Sequence, residues 1–143
     1  MLTLRFATVQ DVAVLARLNE QLIEDEGHEN PLRGQQLADR MRYWLETGYR
    51  AALGTLDGQP ACYALWRPDE NEGIYLRQFF VARPFRRQGV GAAALRVLRE
   101  DYWKPARQVR LDVLIGNQRG HAFWRATGFT DYSVIMRMPL DPG

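Results

Sequence analysis

The sequence predicts an α/β fold, a single domain in which a mixed, mostly antiparallel sheet of about six to seven strands is flanked by about four helices. Three observations predict it. Segments with helical periodicity and segments with strand-like alternation follow one another along the chain without a repeat. No Pro/Gly/Ser-rich linker separates them. The length of 143 residues suits one continuous core, so we expect residues 1–143 to form one domain.

The first third of the chain predicts one strand and two helices. Residues 2–6 alternate apolar and polar side chains, as in a half-buried strand. Thr8 belongs to the residue types that cap helices, and the apolar residues after it recur at helical spacing as far as Leu22. A second helix is predicted over residues 34–46, which carry an apolar face and end before Gly48.

The middle of the chain predicts three strands, the first two of which form a hairpin. Residues 51–56 and 61–66 are apolar runs on either side of Asp57-Gly58, a strong signal for a tight hairpin turn. Residues 74–81 form a third apolar run, which begins directly after Gly73.

The last third of the chain predicts two helices and two strands. An amphipathic helix over residues 90–102 follows a segment rich in arginine and glycine. Residues 109–115 predict a strand, and residues 117–127 predict a helix that Gly128 ends. Residues 132–140 predict a last strand, so the order is β-α-α-β-β-β-α-β-α-β.

Composition favours a folded protein of the cytoplasm. Apolar residues make up 46% of the chain and charged residues 25%, as in globular proteins. No apolar run approaches the roughly 20 residues that a membrane-spanning helix needs, and the N-terminus lacks the build of a signal peptide. Cys62 is the only cysteine, so it cannot form an internal disulfide, and we expect it to be a small core residue. We expect no membrane partner.

The arginines are concentrated around the glycine-rich segment. The formal net charge of +2 is too small to indicate nucleic acid, and aromatic residues interleaved on a basic face are missing, so we expect no nucleic-acid partner. Guanidinium groups pair well with phosphate oxygens. Six of them surround the segment: Arg77, Arg83, Arg86, Arg87, Arg96 and Arg99.

Residues 86–92, Arg-Arg-Gln-Gly-Val-Gly-Ala, predict a phosphate-binding segment. The first turn of a helix has unpaired N–H groups and a partial positive charge, so it attracts anions. Two glycines let a phosphate approach the backbone without a Cβ in the way. A tight strand-to-helix turn with solvated arginines is the alternative interpretation.

A dinucleotide-binding pattern competes for the same residues. Residues 89–94 fit G-x-G-x-x-[GA], and Asp112 lies about 20 residues later, where a ribose-binding acid is expected. That pattern should follow a strand directly, whereas residues 82–88 separate it from Val81. Only about 50 residues remain after Gly91, too few for the rest of such a fold. We therefore reject this interpretation.

Two stretches of the chain resemble the motifs of the GNAT acetyltransferase superfamily. Residues 80–92 look like the family's acetyl-CoA motif, V-x-P-x-x-[RQ]-x-x-G-x-[GA]. Residues 117–129 are similar to the family's N-x-x-A-x-x-F-Y-x-x-x-G-F, and the predicted element order matches the family's fold. The resemblance implies an acyl-CoA N-acyltransferase-like fold, with acetyl-CoA as co-substrate.

The resemblance also implies where the cofactor binds. In this family the strand before the loop splays from its neighbour, and its backbone pairs with the pantetheine arm, while the loop and helix N-terminus bind the pyrophosphate. Asn117 matches a residue that often contacts the cofactor, although helix capping explains it as well. Trp124 could line the cofactor pocket. The cofactor-binding residues implied are Phe79, Phe80, Val81, Arg86, Arg87, Gln88, Gly89, Val90, Gly91, Ala92, Asn117 and Trp124.

The implied reaction, direct attack of a primary amine on the thioester, needs a base. Asp112 is the candidate, because it is the one acid in an apolar strand, where burial would raise its pKa. An ion pair with Arg110 is the structural alternative for this aspartate. Glu72 and Gln78 are other candidates, the latter only through a bound water.

The acid of the reaction stays unassigned in the sequence. Trp124 occupies the position where relatives usually place a tyrosine, and an indole N–H cannot deliver a proton at useful pH. Tyr102, Tyr132 or water could replace it. His28 and His121 lack metal-ligand spacing, so we interpret both as structural and expect no metal.

Two functions remain open for the acceptor side. The first is N-acetylation of a small-molecule or peptide amine, and the acidic residues between positions 24 and 29 favour a cationic acceptor, unless they form a solvated loop. The second is a non-catalytic acyl-CoA-binding module, which the tryptophan at position 124 keeps open. A homodimer is a permitted assembly.

Overall fold

The computed structural model describes residues 1–27 and 32–142. Its described residues contain one mixed sheet of five strands in the order β1-β2-β3-β4-β5, in which β1 to β4 pair antiparallel and β4 and β5 pair parallel. The strands are β1 (Leu2–Phe6), β2 (Arg50–Leu56), β3 (Gln59–Asp69), β4 (Gly73–Val81) and β5 (Val109–Arg110). The predicted mixed, mostly antiparallel sheet is confirmed, with a slightly smaller number of strands than expected.

Four α-helices accompany the sheet in the described part of the chain, as predicted: α1 (Val12–Asp25), α2 (Gln35–Glu46), α3 (Val90–Val97) and α4 (Gln118–Ala126). None of the helices among these residues is long and apolar enough to cross a membrane. The chain divides into two compact units, Met1–Asp112 with the sheet and the first three helices, and Val113–Gly143 with α4. The single domain over residues 1–143 therefore stays a prediction.

The first unit packs helices on both faces of its sheet. On one face α1 and α2 cover the middle strands, and this core joins Leu15, Met41 and Trp44 of the helices to Tyr63 and Phe80 of the strands. On the other face, α3 buries Val90 and Ala94 against Cys62, while Phe79 and Val81 pack at the edge of this second cluster. Successive β4 residues therefore serve opposite faces, as the two-residue period of a strand requires.

Local turn signals in the sequence are confirmed. Thr8 accepts a hydrogen bond from the Gln10 N–H and forms a capping box with Asp11, at the start of a 3-10 turn that leads into α1. The β2–β3 hairpin turns at Asp57 and Gly58, both with positive φ, as a two-residue turn of this kind needs. Cys62 is buried in β3, which confirms it as a core residue.

Three predicted elements differ in the structure. The helix expected over residues 90–102 is α-helical only to Val97 and continues as a π-helix through Tyr102. The strand expected over residues 109–115 ends at Arg110, and residues 132–140 form no strand and are exposed. Strand propensity is effective only where a neighbouring strand supplies the ladder, so the alternation of residues 132–140 does not by itself produce a strand.

Candidate active site

The connection from β4 to α3 turns sharply through left-handed residues just before the helix begins. A 3-10 turn over Arg83–Phe85 follows β4, and Arg86 is extended. Arg87 and Gly89 then adopt left-handed conformations, with φ of 62° and 76°, and Gly89 is the N-cap of α3. A left-handed arginine is uncommon and costs of order 1 kcal/mol. Such local strain is typical of functional loops.

The first turn of α3 presents backbone donors. The Ala93 N–H donates to the Gly89 carbonyl at 3.0 Å, so the N–H groups of Val90, Gly91 and Ala92 precede the first hydrogen bond of the helix. The Val90 side chain is buried and anchors this turn to the sheet, whereas Ala92 is exposed. These N–H groups and the positive end of the helix dipole fit the charge and hydrogen-bonding capacity of a pyrophosphate.

Arg86 is held within the protein. Its Nε donates to the Val81 carbonyl at 2.8 Å, its Nη2 pairs with the Asp25 carboxylate, and its guanidinium lies 5.2 Å from the centroid of the Phe80 ring. Arg83 pairs with the same carboxylate, donating from Nε at 3.0 Å. Burial of Asp25 opposes its ionisation, but the hydrogen bonds from Arg86 and then Arg83 outweigh this and lower its pKa.

This arrangement divides the arginines expected at the phosphates. Arg86 and Arg83 tie the loop to the end of α1, while Arg87 is exposed. Gln88 is also exposed, and its Nε2 donates to the Pro84 carbonyl at 3.1 Å. The Arg87 guanidinium, unlike those of Arg83 and Arg86, forms no ion pair with the described residues.

Successive residues of β4 direct their main-chain N–H and C=O groups to opposite sides of the strand. The Ala82 N–H donates to the Ala61 carbonyl of the β3 segment at 2.8 Å, so Phe80 also directs its main-chain groups toward β3. Phe79 and Val81 direct theirs the opposite way, toward the β5 side. β5 pairs with β4 only at Ile74 and Tyr75 and ends at Arg110, so it supplies no ladder partner for this part of β4. Phe80 contributes a buried ring to the core, as expected for the side chain.

Asp112 is not in a strand and is exposed, so the burial expected for it is wrong. The strand that should enclose it stops at Arg110, which pairs with Asp69 at 2.8 Å. Asp112 instead accepts a hydrogen bond from the Tyr75 hydroxyl at 2.8 Å. Burial, with this hydrogen bond, raises the pKa of Tyr75 to about 12.

The other candidates for the base also have partners. Glu72 is exposed and forms an ion pair with Arg107 at 2.8 Å. Gln78 accepts a hydrogen bond from the Tyr63 hydroxyl at 2.8 Å, and burial raises the pKa of this tyrosine. Gln78 is thus fixed on the sheet face that α1 and α2 cover.

The candidates for the acid lie in different surroundings. Tyr102 packs its ring 4.8 Å from that of Phe6, and burial raises its pKa. Tyr132 is exposed. Trp124 packs between the rings of Phe123 and Phe129, with centroids 4.9 and 5.1 Å away.

The second unit confirms the helix-capping interpretation of Asn117. Its Oδ1 accepts a hydrogen bond from the Gly120 N–H at 2.9 Å, at the first turn of α4. His121 is structural as expected, since Nε2 lies 3.2 Å from the Leu114 carbonyl. His28 lies outside the described residues. Within residues 1–27 and 32–142, no group of three or more His, Cys, Asp or Glu side chains could hold a metal.

A polar cluster on the α1/α2 face was missed in the sequence. The Arg40 Nη2 donates to the Asn19 Oδ1 at 3.0 Å, and the Arg40 guanidinium lies 4.5 Å from the centroid of the Trp44 ring. Arg77 lies 4.8 Å from the same centroid and donates to the Tyr49 hydroxyl at 3.1 Å. We call these five residues the arginine cluster. The available signal was polar residues at apolar positions: Asn19 follows Leu15 by one helical turn, and Arg40 precedes Trp44 by one.

Comparison with known proteins identifies the family. The model of the acetyltransferase (GNAT) family matches residues 15–129. A possible acetyltransferase from Clostridium difficile 630 is 18% identical with a TM-score of 0.77, and 99% of each chain is covered. The aminoglycoside 6'-N-acetyltransferase AAC(6')-Ih from Acinetobacter baumannii is 16% identical with a TM-score of 0.76, and all of both chains is covered.

AAC(6')-Iy, solved in complex with the bisubstrate analogue CoA-S-monomethyl-acetylneamine, is 16% identical with a TM-score of 0.78, and 99% of each chain is covered. No curated protein sequence matches the chain significantly. At these identities the structural likeness shows the fold, and the family match covers most of the sequence. The chain therefore belongs to the GNAT acetyltransferase family, with acetyl-CoA as its co-substrate.

Proposed function

We propose that the protein is an N-acetyltransferase that moves the acetyl group of acetyl-CoA to a primary amine by direct attack on the thioester. The observation that carries the proposal is the left-handed turn at Arg87 and Gly89, which leads into the first N–H groups of α3 inside the matched family region. The bisubstrate complex of AAC(6')-Iy supports an amine acceptor, because that ligand joins CoA to an aminoglycoside.

The pyrophosphate would accept hydrogen bonds from the N–H groups of Val90, Gly91 and Ala92, and the exposed Arg87 would add its guanidinium. The pantetheine arm would run along β4 on the side facing away from β3. There the Val81 carbonyl is already bonded to Arg86, so the Val81 N–H and the main chain of Phe79 are the groups we assign. Asn117 and Trp124 remain proposed cofactor contacts.

In the proposed reaction, the amine loses one proton and the leaving sulfur gains one. The amine loses a proton to a base, its nitrogen bonds to the carbonyl carbon, and the C–S bond breaks as the sulfur leaves and takes up a proton. The products are an N-acetyl amide and CoA thiol. Asp112 is our candidate base, oriented by the hydrogen bond from Tyr75 at 2.8 Å. Gln78 of β4, which accepts a hydrogen bond from Tyr63, is the candidate to hold a water that acts as the base.

A thiol-release assay with acetyl-CoA and a panel of small amines, polyamines and peptides tests the proposal. We expect CoA release that depends on both enzyme and amine, with an acetylated amine detected by mass spectrometry. Binding of acetyl-CoA without turnover across the panel would instead support the non-catalytic acyl-CoA-binding module, which Trp124 at the usual tyrosine position keeps open. Absence of acetyl-CoA binding would remove both.

A further inference from the structure

The arginine cluster contains a buried donor that lacks an acceptor. The Nε of Arg40 is buried and has no hydrogen-bond partner among the described residues. Asn19 is 0% exposed, and it interacts both with the Arg40 Nη2, through Oδ1, and with the Tyr63 hydroxyl. A buried donor left unpaired is destabilising, so proteins rarely retain one without a reason. The Nε of Arg40 therefore indicates a place for an acceptor group.

The cluster also carries two positive charges that form no ion pair with the described residues. Seven arginines in the described part of the chain form ion pairs with acidic side chains, and Arg40 and Arg77 are among the others. Both guanidiniums lie within 5 Å of the Trp44 ring centroid. Burial, together with the charge of Arg77, lowers the pKa of Arg40. An anion would relieve the repulsion between the two guanidiniums and would supply the acceptor that the Arg40 Nε lacks.

The backbone directs Arg77 to this place. The register of β3 against β4 shifts between Leu65 and Trp66, which pair with Gln78 and Leu76 respectively, so Arg77 is the extra residue of a β-bulge. Bulges re-aim a side chain and are frequent beside active sites. Gln78, the next residue, binds Tyr63 on the face that α1 and α2 cover, and β4 continues into the loop we assign to acetyl-CoA.

We propose that the acetyl acceptor is an amine that also carries a carboxylate, and that Arg40 and Arg77, packed on Trp44, bind this carboxylate. The proposal rests on the N-acetyltransferase function above. The planar guanidinium matches the two oxygens of a carboxylate, and the aromatic ring holds each guanidinium in place. Asn19 is a positioning residue, since its Oδ1 holds Nη2 of Arg40 at 3.0 Å.

This acceptor differs from the cationic one that the acidic residues 24–29 favour. Asp25 in that stretch is paired with Arg83 and Arg86, and residues 28–31 lie outside the described chain. On the sheet face that α1 and α2 cover, Arg40 and Arg77 instead place two guanidiniums beside the Trp44 ring. The acceptor therefore complements a positive site.

Matched substrates test the carboxylate directly. We would measure turnover with L-amino acids, β-alanine and 4-aminobutyrate, each beside its carboxamide, which keeps the amine and removes the negative charge. We expect a lower KM, by about tenfold or more, for at least one acid over its amide. Equal KM values throughout, or better use of the amides, would overturn the proposal. O-phosphoethanolamine is the comparison for a phosphate, and its preferred use would also overturn the carboxylate assignment.

Variants then assign the preference to the cluster. Arg77 is exposed, so Arg77→Met should fold and should remove the preference by raising KM for the acid and not for the amide. Arg40→Met should act in the same direction. Arg42→Met, an exposed position on α2, is the matched control and should retain the preference. A preference that survives in both Arg77→Met and Arg40→Met would overturn the proposal.

Binding measurements separate this proposal from the function on which it rests. Calorimetry of the same acids with the CoA-saturated protein reports carboxylate binding without turnover, and no binding to wild type would overturn the acceptor site alone. If wild type binds the acids but does not acetylate them, this result would contradict the N-acetyltransferase function. Removal of the 3'-phosphate from acetyl-CoA should change its affinity by the same factor in Arg77→Met as in wild type. A smaller difference in the variant would assign Arg77 to the CoA phosphate and overturn the proposal.

Discussion

The guanidinium of Arg86 joins the carboxylate of Asp25, at the end of α1, to the Val81 carbonyl, at the end of β4. One side chain therefore fixes the point where the strand leaves the sheet and the loop toward α3 begins. The sequence predicts a direct phosphate contact for Arg86. The structure instead indicates that it sets the direction of the loop that carries the proposed phosphate donors.

Replacing Asp25 with Asn should weaken acetyl-CoA binding, although Asp25 is not among the residues we assign to the cofactor. The amide cannot pair with both Arg83 and Arg86 as the carboxylate does, so the loop should become more mobile. We expect the Kd for acetyl-CoA, measured by calorimetry, to rise about threefold to tenfold. Asp39→Asn on α2 is the control, and equal affinities in the two variants would contradict this role.

Acid should weaken the start of α1 through Asp11. The hydrogen bond from Arg5 lowers the pKa of Asp11 to about 2, from about 4 in an unfolded chain. A lowered pKa in the folded state means that the stabilisation is complete above pH about 4 and is lost as the pH falls through about 2. Melting temperatures between pH 5 and 2 should therefore fall less steeply in Asp11→Asn than in wild type.

The exposed Asp101→Asn is the matched control for this pH series, because Asp101 forms no ion pair with the other described residues. Its melting temperature should follow that of wild type over the whole range. Parallel curves for Asp11→Asn and wild type would show that the Arg5–Asp11 pair contributes nothing to the pH dependence.

Gly54 should tolerate no side chain, because β2 approaches β3 closely there. A Cβ at Gly54 would lie 2.4 Å from the Cys62 Sγ and 3.3 Å from Leu2. Cys62 is buried, so it cannot move out, and we expect Gly54→Ala to lower the free energy of unfolding by about 1–3 kcal/mol. Denaturant unfolding measures this, with Gly116→Ala, where a Cβ meets open space, as control. Equal stability of the two variants would contradict the close approach.

If Asp112 is the base, Asp112→Asn should lower kcat strongly without changing the Kd for acetyl-CoA. Tyr75→Phe removes the hydroxyl that donates to Asp112 at 2.8 Å, and it should lower kcat less than Asp112→Asn does, because the carboxylate remains. Stopped assays across pH 5–9 measure both. An Asp112→Asn variant with wild-type kcat would exclude this residue and direct attention to a water held by Gln78.

Features that depend on neighbouring residues could be predicted from the sequence. The Asp57-Gly58 turn, the cap at Thr8, the cap at Asn117 and the turn into α3 at Gly89 each follow from local chemistry, and each is in the structure. Their energies are fixed within one turn of the chain. This is why the glycine-rich segment indicates a phosphate site from its sequence alone.

Features that depend on residues far apart in the chain could not be predicted from the sequence. The length of β5 depends on its ladder with β4, which ends at Arg110, and Asp112 is exposed as a consequence. The pairing of Asp25 with Arg86 joins positions 61 residues apart. The arginine cluster brings together α1, α2 and a bulge in β4, and no sequence spacing connects these elements.

The central claim, that α3 and the loop before it bind acetyl-CoA, is tested most directly by the melting temperature at saturating acetyl-CoA in wild type and Gly91→Glu. The glutamate would place a bulky negative charge at the first turn of α3. At 100 times its Kd a ligand stabilises by about 2.7 kcal/mol, a rise of about 5–10 °C for a chain of this size. We expect this rise in wild type and in the control Arg96→Glu, in the last turn of α3, and none in Gly91→Glu. An equal rise in Gly91→Glu would contradict the claim.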